Sequence, residues 1–277
     1  MQVIFKLLEI TPKAVLTSTK KRSLTGQVIF KNNLNFLFLT FEIIIDSTIM
    51  NKKFKDIFFD LDHTLWDFDK NSKYTFKKIL NDNKINIDVD IFLTTYIPIN
   101  NDYWKLYREN NISKDKLRYG RLMDTFKALK RDVSTKIIDK ISDDYVKYLS
   151  SFNFLIDETI PILKYLDSKY KLHIITNGFQ EVQNLKLINS GIDNFFKTVT
   201  NSEMAGVKKP NQKIFQLAIN KANADFYSSI MIGDNLEADI QGALNVGMDA
   251  ILFNYHKISV PKGVNSINTL NQLKDYL

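Results

Sequence analysis

The 277-residue sequence contains no cysteine. Disulfide bonds, thiolate metal ligands and cysteine nucleophiles are therefore excluded, and such a chain suits a reducing compartment. Residues 1–15 lack the small-residue cleavage pattern of a signal peptide, and Lys6 and Glu9 interrupt their apolar run. We therefore expect a cytoplasmic protein.

Long hydrophobic runs are also missing. The apolar segment 34–45 is interrupted by Asn35 and Glu42, and it is shorter than the about 20 residues that a membrane-spanning helix needs. We predict no membrane span. The hydrophobic content of 44% is nevertheless sufficient for a globular protein with a sizeable core.

Positive charge predominates, but it is not concentrated in a stripe. Of the net charge of +7, residues 1–49 contribute +3, from six Lys or Arg and three Asp or Glu residues. The rest is spread thinly and accompanies no nucleic-acid-binding motif. We therefore expect no nucleic-acid partner, and a surface that favours a small anionic substrate.

Four short apolar runs are each followed by polar residues, as in buried parallel strands whose carboxyl ends carry chemistry. The runs are 57–59, 172–176, 229–232 and 250–253, and helix-like segments cover 179–189, 212–222 and 237–246. Strands that alternate with helices in this way predict an α/β fold with a doubly wound parallel sheet. Ligands of such sheets bind beyond the carboxyl ends of the strands.

Helical patterns alone occupy the stretch after the first strand. They cover 72–80, 91–109, 116–129 and 134–149. Asp157, Glu158 and Pro161 then mark the start of a helix that leads back to the sheet. We predict a core domain of residues 50–66 and 156–277 and an inserted helical cap domain of residues 67–155. Residues 1–49 are interpreted as an upstream extension that is not native, with Met50 as the natural start.

Four motifs follow one another along the chain. They are DLDHT at 60–64, IITNG at 174–178, KKP at 208–210 and GDNLEAD at 233–239. A single such motif is commonly a turn or a helix cap. Together they fall after strand-like runs or before a helix, where one open site can collect them.

These motifs, their order and the helical insertion after the first one resemble the haloacid dehalogenase superfamily. The resemblance covers about residue 53 to the C-terminus and implies a Rossmann-like core with a helical cap. It also implies a magnesium-dependent phosphatase that acts on a small phosphate ester in two steps. Asp60 is then the nucleophile. Asp62 is the general acid that protonates the leaving oxygen and afterwards the base that activates water.

The resemblance further implies a Mg²⁺ site and a phosphate site. The carboxylates of Asp60 and Asp234 and the backbone carbonyl of Asp62 are the expected metal ligands. The expected phosphate-binding groups are the Thr176 hydroxyl, the amides of Asn177 and Gly178 and the Lys209 ammonium. Asp239 is expected to orient Lys209 or a metal-bound water.

Structural alternatives remain for several of these residues. Thr176 could cap a helix, Lys209 could be a surface lysine, and Asp239 could be a first-turn acid. His63, between Asp62 and Thr64, is expected to be a spacer whose side chain points away from the site. His173 and His256 are expected to be structural.

The insertion is expected to determine the substrate. Asn100, Trp104, Arg118 and Arg121 are the candidate contacts, since aromatic rings stack on bases and arginines pair with anions. The opening FFDLDHTLWDFDKNS and the spacing of four between Asn100 and Trp104 resemble a pyrimidine 5'-nucleotidase subgroup. Leu122 departs from that pattern, which has an aromatic residue there.

Other activities stay open at this point. A sugar-phosphate or phosphoglycolate phosphatase uses the same four motifs, and so does a phosphosugar mutase. A dehalogenase needs no acid at Asp62, and a non-enzymatic phospho-aspartate signalling domain is usually smaller. The oligomeric state is also open.

Overall fold

A parallel sheet lies at the centre of the described part of the chain, residues 54–277 of a computed structural model. In this range its strands are β1 Asp56–Phe59, β2 Lys171–Thr176, β3 Phe196–Asn201, β4 Ser229–Gly233, β5 Asp249–Phe253 and β6 Asn265–Ile267. The four predicted strands are confirmed, whereas β3 and β6 were not predicted. The predictions about residues 1–49 and Met50 lie outside the described residues.

The order of the strands creates a binding crevice. It is β3-β2-β1-β4-β5-β6, so the chain extends the sheet first on one side of β1 and then on the other. Phe59 pairs with Ile174 of β2 and with Ile232 of β4. The residues that follow these strands therefore lie side by side at the switch point, where doubly wound sheets bind ligands.

Both faces of the sheet are buried. Ile57 and Phe59 belong to one hydrophobic cluster, and Phe58 belongs to a cluster on the opposite face. This explains why β1 is a continuous apolar run rather than an alternating one. The first cluster continues into the helical insertion, where it includes Phe76 and Phe92.

Four helices follow β1, as predicted. They are α1 Phe68–Asp82, α2 Val89–Arg108, α3 Lys114–Ala128 and α4 Thr135–Leu149. Asp67 and Asp88 accept backbone hydrogen bonds at the starts of α1 and α2, which satisfies amides that have no partner within the helix. Helix α5 Thr159–Asp167 then leads into β2.

The remaining helices cover the sheet. They are α6 Gln180–Asn189, α7 Ser202–Ala205, α8 Gln212–Ala222 and α9 Gly242–Leu244, with 3₁₀ turns at Asp193–Phe195 and Leu270–Asp275. None of the helices in residues 54–277 combines the length and hydropathy of a bilayer-spanning segment.

The segment predicted to be helix-like, 237–246, is helical over most of its length, but it is not one regular α-helix. A π-helical segment, Leu236–Gln241, comes first, and α9 has three residues. The Asp239 carboxylate accepts a hydrogen bond from the Asn235 backbone amide at 3.0 Å. The wide turn therefore folds around a buried acid, and such π-helical turns are frequent at functional sites.

Candidate active site

The four sequence motifs meet at one cavity of about 520 Å³. Asp60 follows β1, Thr176 ends β2, Lys209 precedes α8, and Asp234 follows β4. The cavity is lined by the predicted core residues Asp60, Asp62, Thr176, Asn177, Gly178, Lys209, Asp234 and Asp239. Segments that are distant in sequence thus form one site at the carboxyl edge of the sheet.

Lys209 is buried between two acids. Its Nζ lies 2.7 Å from Asp60 Oδ1 and 2.6 Å from Asp239 Oδ1, and it donates to the Ile175 carbonyl at 2.6 Å. Burial by itself lowers the pKa of Lys209, but Asp239 and Asp60 raise that pKa overall. The ammonium therefore stays charged, although the side chain is only 1% exposed.

Asp60 experiences the opposite balance. Burial raises its pKa well above the ordinary value, Lys209 lowers it, and Asp239, Asp234 and Asp62 raise it further. The positive charge of Lys209 does not offset the effects of burial and of the neighbouring carboxylates on the pKa of Asp60. An additional cation would stabilise the ionised form of Asp60.

The acids also have the geometry for holding that cation. Oxygen atoms of Asp60, Asp234 and Asp239 lie within 4.8 Å of one another. Hard carboxylate oxygens are the ligands that Mg²⁺ prefers. The residues present therefore fit a magnesium ion in both donor chemistry and charge.

Thr176 and Asn177 lie beside Lys209. Thr176 Oγ1 accepts bonds from the Gly178 amide at 3.1 Å and from Gln183 Nε2 at 2.7 Å, so its hydroxyl hydrogen remains to donate. The Asn177 side chain donates to the Lys209 carbonyl and accepts from the Lys209 amide, which fixes the lysine backbone. The Gly178 N–H, predicted as a phosphate donor, bonds to Thr176 Oγ1 in this structure, and its bond to phosphate stays a prediction.

Two residues that sequence reasoning missed hold Asp62. Lys186 Nζ lies 2.5 Å from Asp62 Oδ1, and Gln183 Nε2 donates to Asp62 Oδ2 at 2.8 Å. Lys186 is 2% exposed, and its ammonium lies 4.3 Å from the centre of the Trp66 ring. The sequence does contain a signal for this contact. Lys186 lies on the buried face of the helix that follows the Thr176 motif, and a buried lysine is usually paired with an acid.

Gly178 makes this arrangement possible. A Cβ atom on Gly178 would lie 1.8 Å from Gln183 Nε2, a separation that no side chain allows. The glycine thus lets Gln183 reach both Thr176 and Asp62.

Two histidines also lie at the cavity. His63 Nδ1 is 4.0 Å from Asp234 Oδ2, so the expectation that this side chain points away from the site is wrong. His256, which was expected to be structural, places Nε2 3.0 Å from the same oxygen. His173 is structural, since it bonds to Asp56 and Thr198 and stacks on Phe58.

The four candidate substrate contacts divide into two groups. Asn100 and Trp104 line the cavity. Arg121 is 3% exposed and does not line this cavity, but it donates a hydrogen bond to Asn100 Oδ1 at 2.8 Å and so fixes the position of the Asn100 side chain. Arg118 does not line the cavity, because it pairs with Asp143 at 2.7 Å on the helical insertion. The expectation for Arg118 is therefore wrong.

Comparisons with known proteins relate this chain to one family. A family model described as haloacid dehalogenase-like hydrolase matches residues 54–247. Pyrimidine 5'-nucleotidase YjjG of Escherichia coli is 28% identical over 80% of this chain and 96% of its own length.

One further relative and one solved structure are also similar to this chain. Glyceraldehyde 3-phosphate phosphatase of Methanothermobacter thermautotrophicus is 33% identical over 80% of this chain and 99% of its own. The crystal structure of the HAD-hydrolase YfnB from Bacillus subtilis bound to magnesium has a TM-score of 0.74 and 25% identity. That match covers 81% of this chain and 99% of the YfnB chain.

Proposed function

This chain belongs to the haloacid dehalogenase-like hydrolases and is a phosphoric monoester hydrolase, and we propose that it hydrolyses pyrimidine nucleoside 5'-monophosphates with the help of Mg²⁺. The observation that carries the proposal is the position of Asp60, Asp62 and Lys209 in one cavity that Asn100 and Trp104 also line. A nucleophile, an acid, a phosphate-binding cation and an aromatic surface thus face the same space.

Asp60 starts the reaction as the nucleophile. Its carboxylate attacks phosphorus, the bond from phosphorus to the leaving oxygen breaks, and Asp62 donates a proton to that oxygen. Water then attacks the aspartyl phosphate while Asp62 accepts its proton, and this releases inorganic phosphate and regenerates the Asp60 carboxylate. General acid–base catalysis of this kind typically contributes about 10²–10⁴ in rate.

The surrounding residues orient these groups. The Lys209 ammonium and the Thr176 hydroxyl stabilise the negative charge on the phosphoryl oxygens. Asp239 holds Lys209 from the other side through an ion pair at 2.6 Å. Asp60, Asp234 and the Asp62 backbone carbonyl would hold Mg²⁺, which would neutralise charge on the phosphate and the carboxylates.

The helical insertion supplies the base-binding surface. Trp104 stacks on Phe179 with ring centres 5.6 Å apart, and Trp104 also lines the cavity. A pyrimidine base can extend such a stack, and the amide of Asn100 can bond to polar atoms of the base. In this proposal residues 67–155 act as a cap domain, and the protein works in the cytoplasm.

The second candidate is a sugar-phosphate phosphatase. It is favoured by the glyceraldehyde 3-phosphate phosphatase relative, which aligns over 99% of its length. A triose phosphate has no base that could stack on Trp104. A substitution of Trp104 therefore distinguishes the two candidates, because it should weaken binding of a nucleotide only.

The test is phosphate release from a panel of nucleoside monophosphates and sugar phosphates, with Mg²⁺ and with a chelator. We expect the highest kcat/KM on pyrimidine nucleoside monophosphates, loss of turnover with chelator, and loss in both Asp60→Asn and Asp62→Asn. Asp102→Asn, on the exposed surface of α2, is the matched control. A higher kcat/KM on glyceraldehyde 3-phosphate would support the second candidate.

A further inference from the structure

Two histidines lie beside the Asp234 carboxylate and have no role in the phosphoryl transfer described above. His63, Asp234 and His256 each offer one ligand atom, and these atoms lie within 4.8 Å of one another. Asp234 Oδ2 faces both imidazoles, at 3.0 Å from His256 Nε2 and 4.0 Å from His63 Nδ1. Asp234 Oδ1 instead accepts from the Thr64 hydroxyl.

The second nitrogen of His63 is held by an acid. His63 Nε2 lies 3.1 Å from Asp69 Oδ1, and the Tyr255 hydroxyl donates to Asp69 Oδ2 at 2.9 Å. A carboxylate that binds one ring nitrogen directs the lone pair of the other toward a metal, as in carboxylate–histidine–metal triads. Here the free nitrogen is Nδ1, the atom on the Asp234 side.

The backbone of His63 supports this interpretation. Its φ of 62° lies in the left-handed region, which non-glycine residues adopt at a cost and which occurs often at functional sites. The side chain of His256 is 46% exposed, so an ion has a path from solvent.

We propose that His63, His256 and Asp234 bind a borderline divalent cation such as Zn²⁺ or Co²⁺. Two imidazoles and one carboxylate suit such ions, whereas Mg²⁺ prefers oxygen ligands alone. Three protein ligands leave the fourth position of a tetrahedral ion open to the cavity. The ion is therefore bound at a site different in chemistry from the carboxylate group of Asp60, Asp234 and Asp239.

Asp234 belongs to both groups, and this has a functional consequence. A cation on the imidazole site competes for the Asp234 carboxylate and repels a second dication nearby. Binding of Zn²⁺ therefore weakens the binding of Mg²⁺ and inhibits magnesium-supported hydrolysis. Raising the Mg²⁺ concentration relieves that inhibition.

The direct test is a titration of the full-length, metal-free protein with Co²⁺, followed by visible absorption. A four- or five-coordinate ion with imidazole ligands absorbs more strongly than an octahedral ion with oxygen ligands. We expect this absorption in the wild type and its loss in His63→Gln and His256→Gln. Asp69→Asn should weaken Co²⁺ binding about 10–100-fold, the usual effect of removing a partner of a ligating histidine.

Asp82→Asn is the matched control for Asp69→Asn, because Asp82 lies at the other end of α1 and pairs with Lys78. Circular dichroism checks that each variant is folded, and His256→Gln, in an exposed loop, serves if His63→Gln is not. Equal absorption in the wild type and His256→Gln, or weak octahedral absorption in the wild type, would overturn the proposal. This readout does not depend on turnover, so it is separate from a failure of the proposed function.

A second readout uses the hydrolysis of p-nitrophenyl phosphate with Mg²⁺. The Zn²⁺ concentration for half-inhibition should rise at least about tenfold in His256→Gln. An unchanged value would contradict the proposal.

Discussion

Asp62 is held at both carboxylate oxygens by two side chains of one helix. Lys186 contacts Oδ1, and Gln183 contacts Oδ2. A buried lysine is rare unless it is paired, and here its partner is the proposed acid and base. We infer that Lys186 is a positioning residue that aims Asp62 at the leaving oxygen.

Lys186→Met should therefore affect substrates according to their leaving group. A nucleoside leaving group needs a proton from Asp62, whereas p-nitrophenolate leaves without one. We expect kcat/KM to fall about 10–100-fold for the nucleotide, within the range of general acid catalysis, and much less for p-nitrophenyl phosphate. Lys186→Arg should restore part of the activity, and Lys77→Met on exposed α1 is the control. An equal fall on both substrates would indicate a purely structural role.

Trp104 is the residue on which the choice of substrate depends most. Stacking of a base on an aromatic ring contributes about 1–3 kcal/mol, so Trp104→Leu should raise KM for a pyrimidine nucleotide roughly tenfold or more. KM for glyceraldehyde 3-phosphate should change little. Arg118→Ala is the control, because Arg118 pairs with Asp143 away from the cavity. A similar change in KM on both substrates would contradict base stacking.

Helix α6 positions catalytic groups through its close approach to the loop after β2. Gln183 reaches Thr176 and Asp62 only because residue 178 has no side chain. The side chain of Gln183 therefore links helix α6 to the end of strand β2, and Gly178 leaves the space that this side chain occupies.

A double-mutant cycle tests this arrangement. Gly178→Ala should lower kcat/KM about tenfold or more, because the new Cβ displaces Gln183. In a Gln183→Ala background the same substitution should have little effect, since nothing remains to be displaced. Coupling between contacting residues commonly amounts to about 0.5–3 kcal/mol. Additive effects in the two backgrounds would refute the steric explanation.

The sequence predicts some elements better than others for physical reasons. Strands β1, β2, β4 and β5 are buried on both faces, so their apolar runs are visible. Strand β3, FKTVTN, is an edge strand with polar and half-buried residues, and β6 has three residues. Neither has a pattern that differs from a loop.

The site shows the same division. Asp60, Thr176, Lys209 and Asp234 were predicted from four motifs and their resemblance to the haloacid dehalogenase superfamily, and the motifs meet because each follows a strand or precedes a helix of a doubly wound sheet. Lys186 and Arg118 could not be placed, because their partners Asp62 and Asp143 come from other elements. Partner choice depends on packing between elements, which local patterns do not contain.

At the scale of the whole molecule, the protonation of His173 makes the stability of the sheet depend on pH. It is buried on β2 and bonds to Asp56 of β1 and Thr198 of β3. Burial lowers its pKa below the ordinary value of 6.5, although Asp56 opposes this. A histidine with a lowered folded-state pKa stabilises the fold above the unfolded-state pKa, and this stability is lost as the pH falls through the folded-state pKa.

The contribution of His173 to the free energy of unfolding should therefore decrease as the pH falls from about 6.5 through its lowered folded-state pKa. Urea titrations of the wild type and His173→Gln at several pH values measure it, because the difference between the two free energies of unfolding should shift against the wild type over that range. Lys77→Met, an exposed substitution on α1, is the control. A His173→Gln variant with the full pH dependence of the wild type would assign the effect to other groups.

The order of strands in the sheet also bears on the synthesis of the protein. The ribosome makes Asp60 and Asp62 early, but Lys209, Asp234 and Asp239 are made only after most of the chain is complete. The central strand β1 must wait for β4, its neighbour from the last quarter of the sequence. A nascent chain therefore carries its nucleophile long before it can use it, and activity begins only when the second half of the sheet has joined the first.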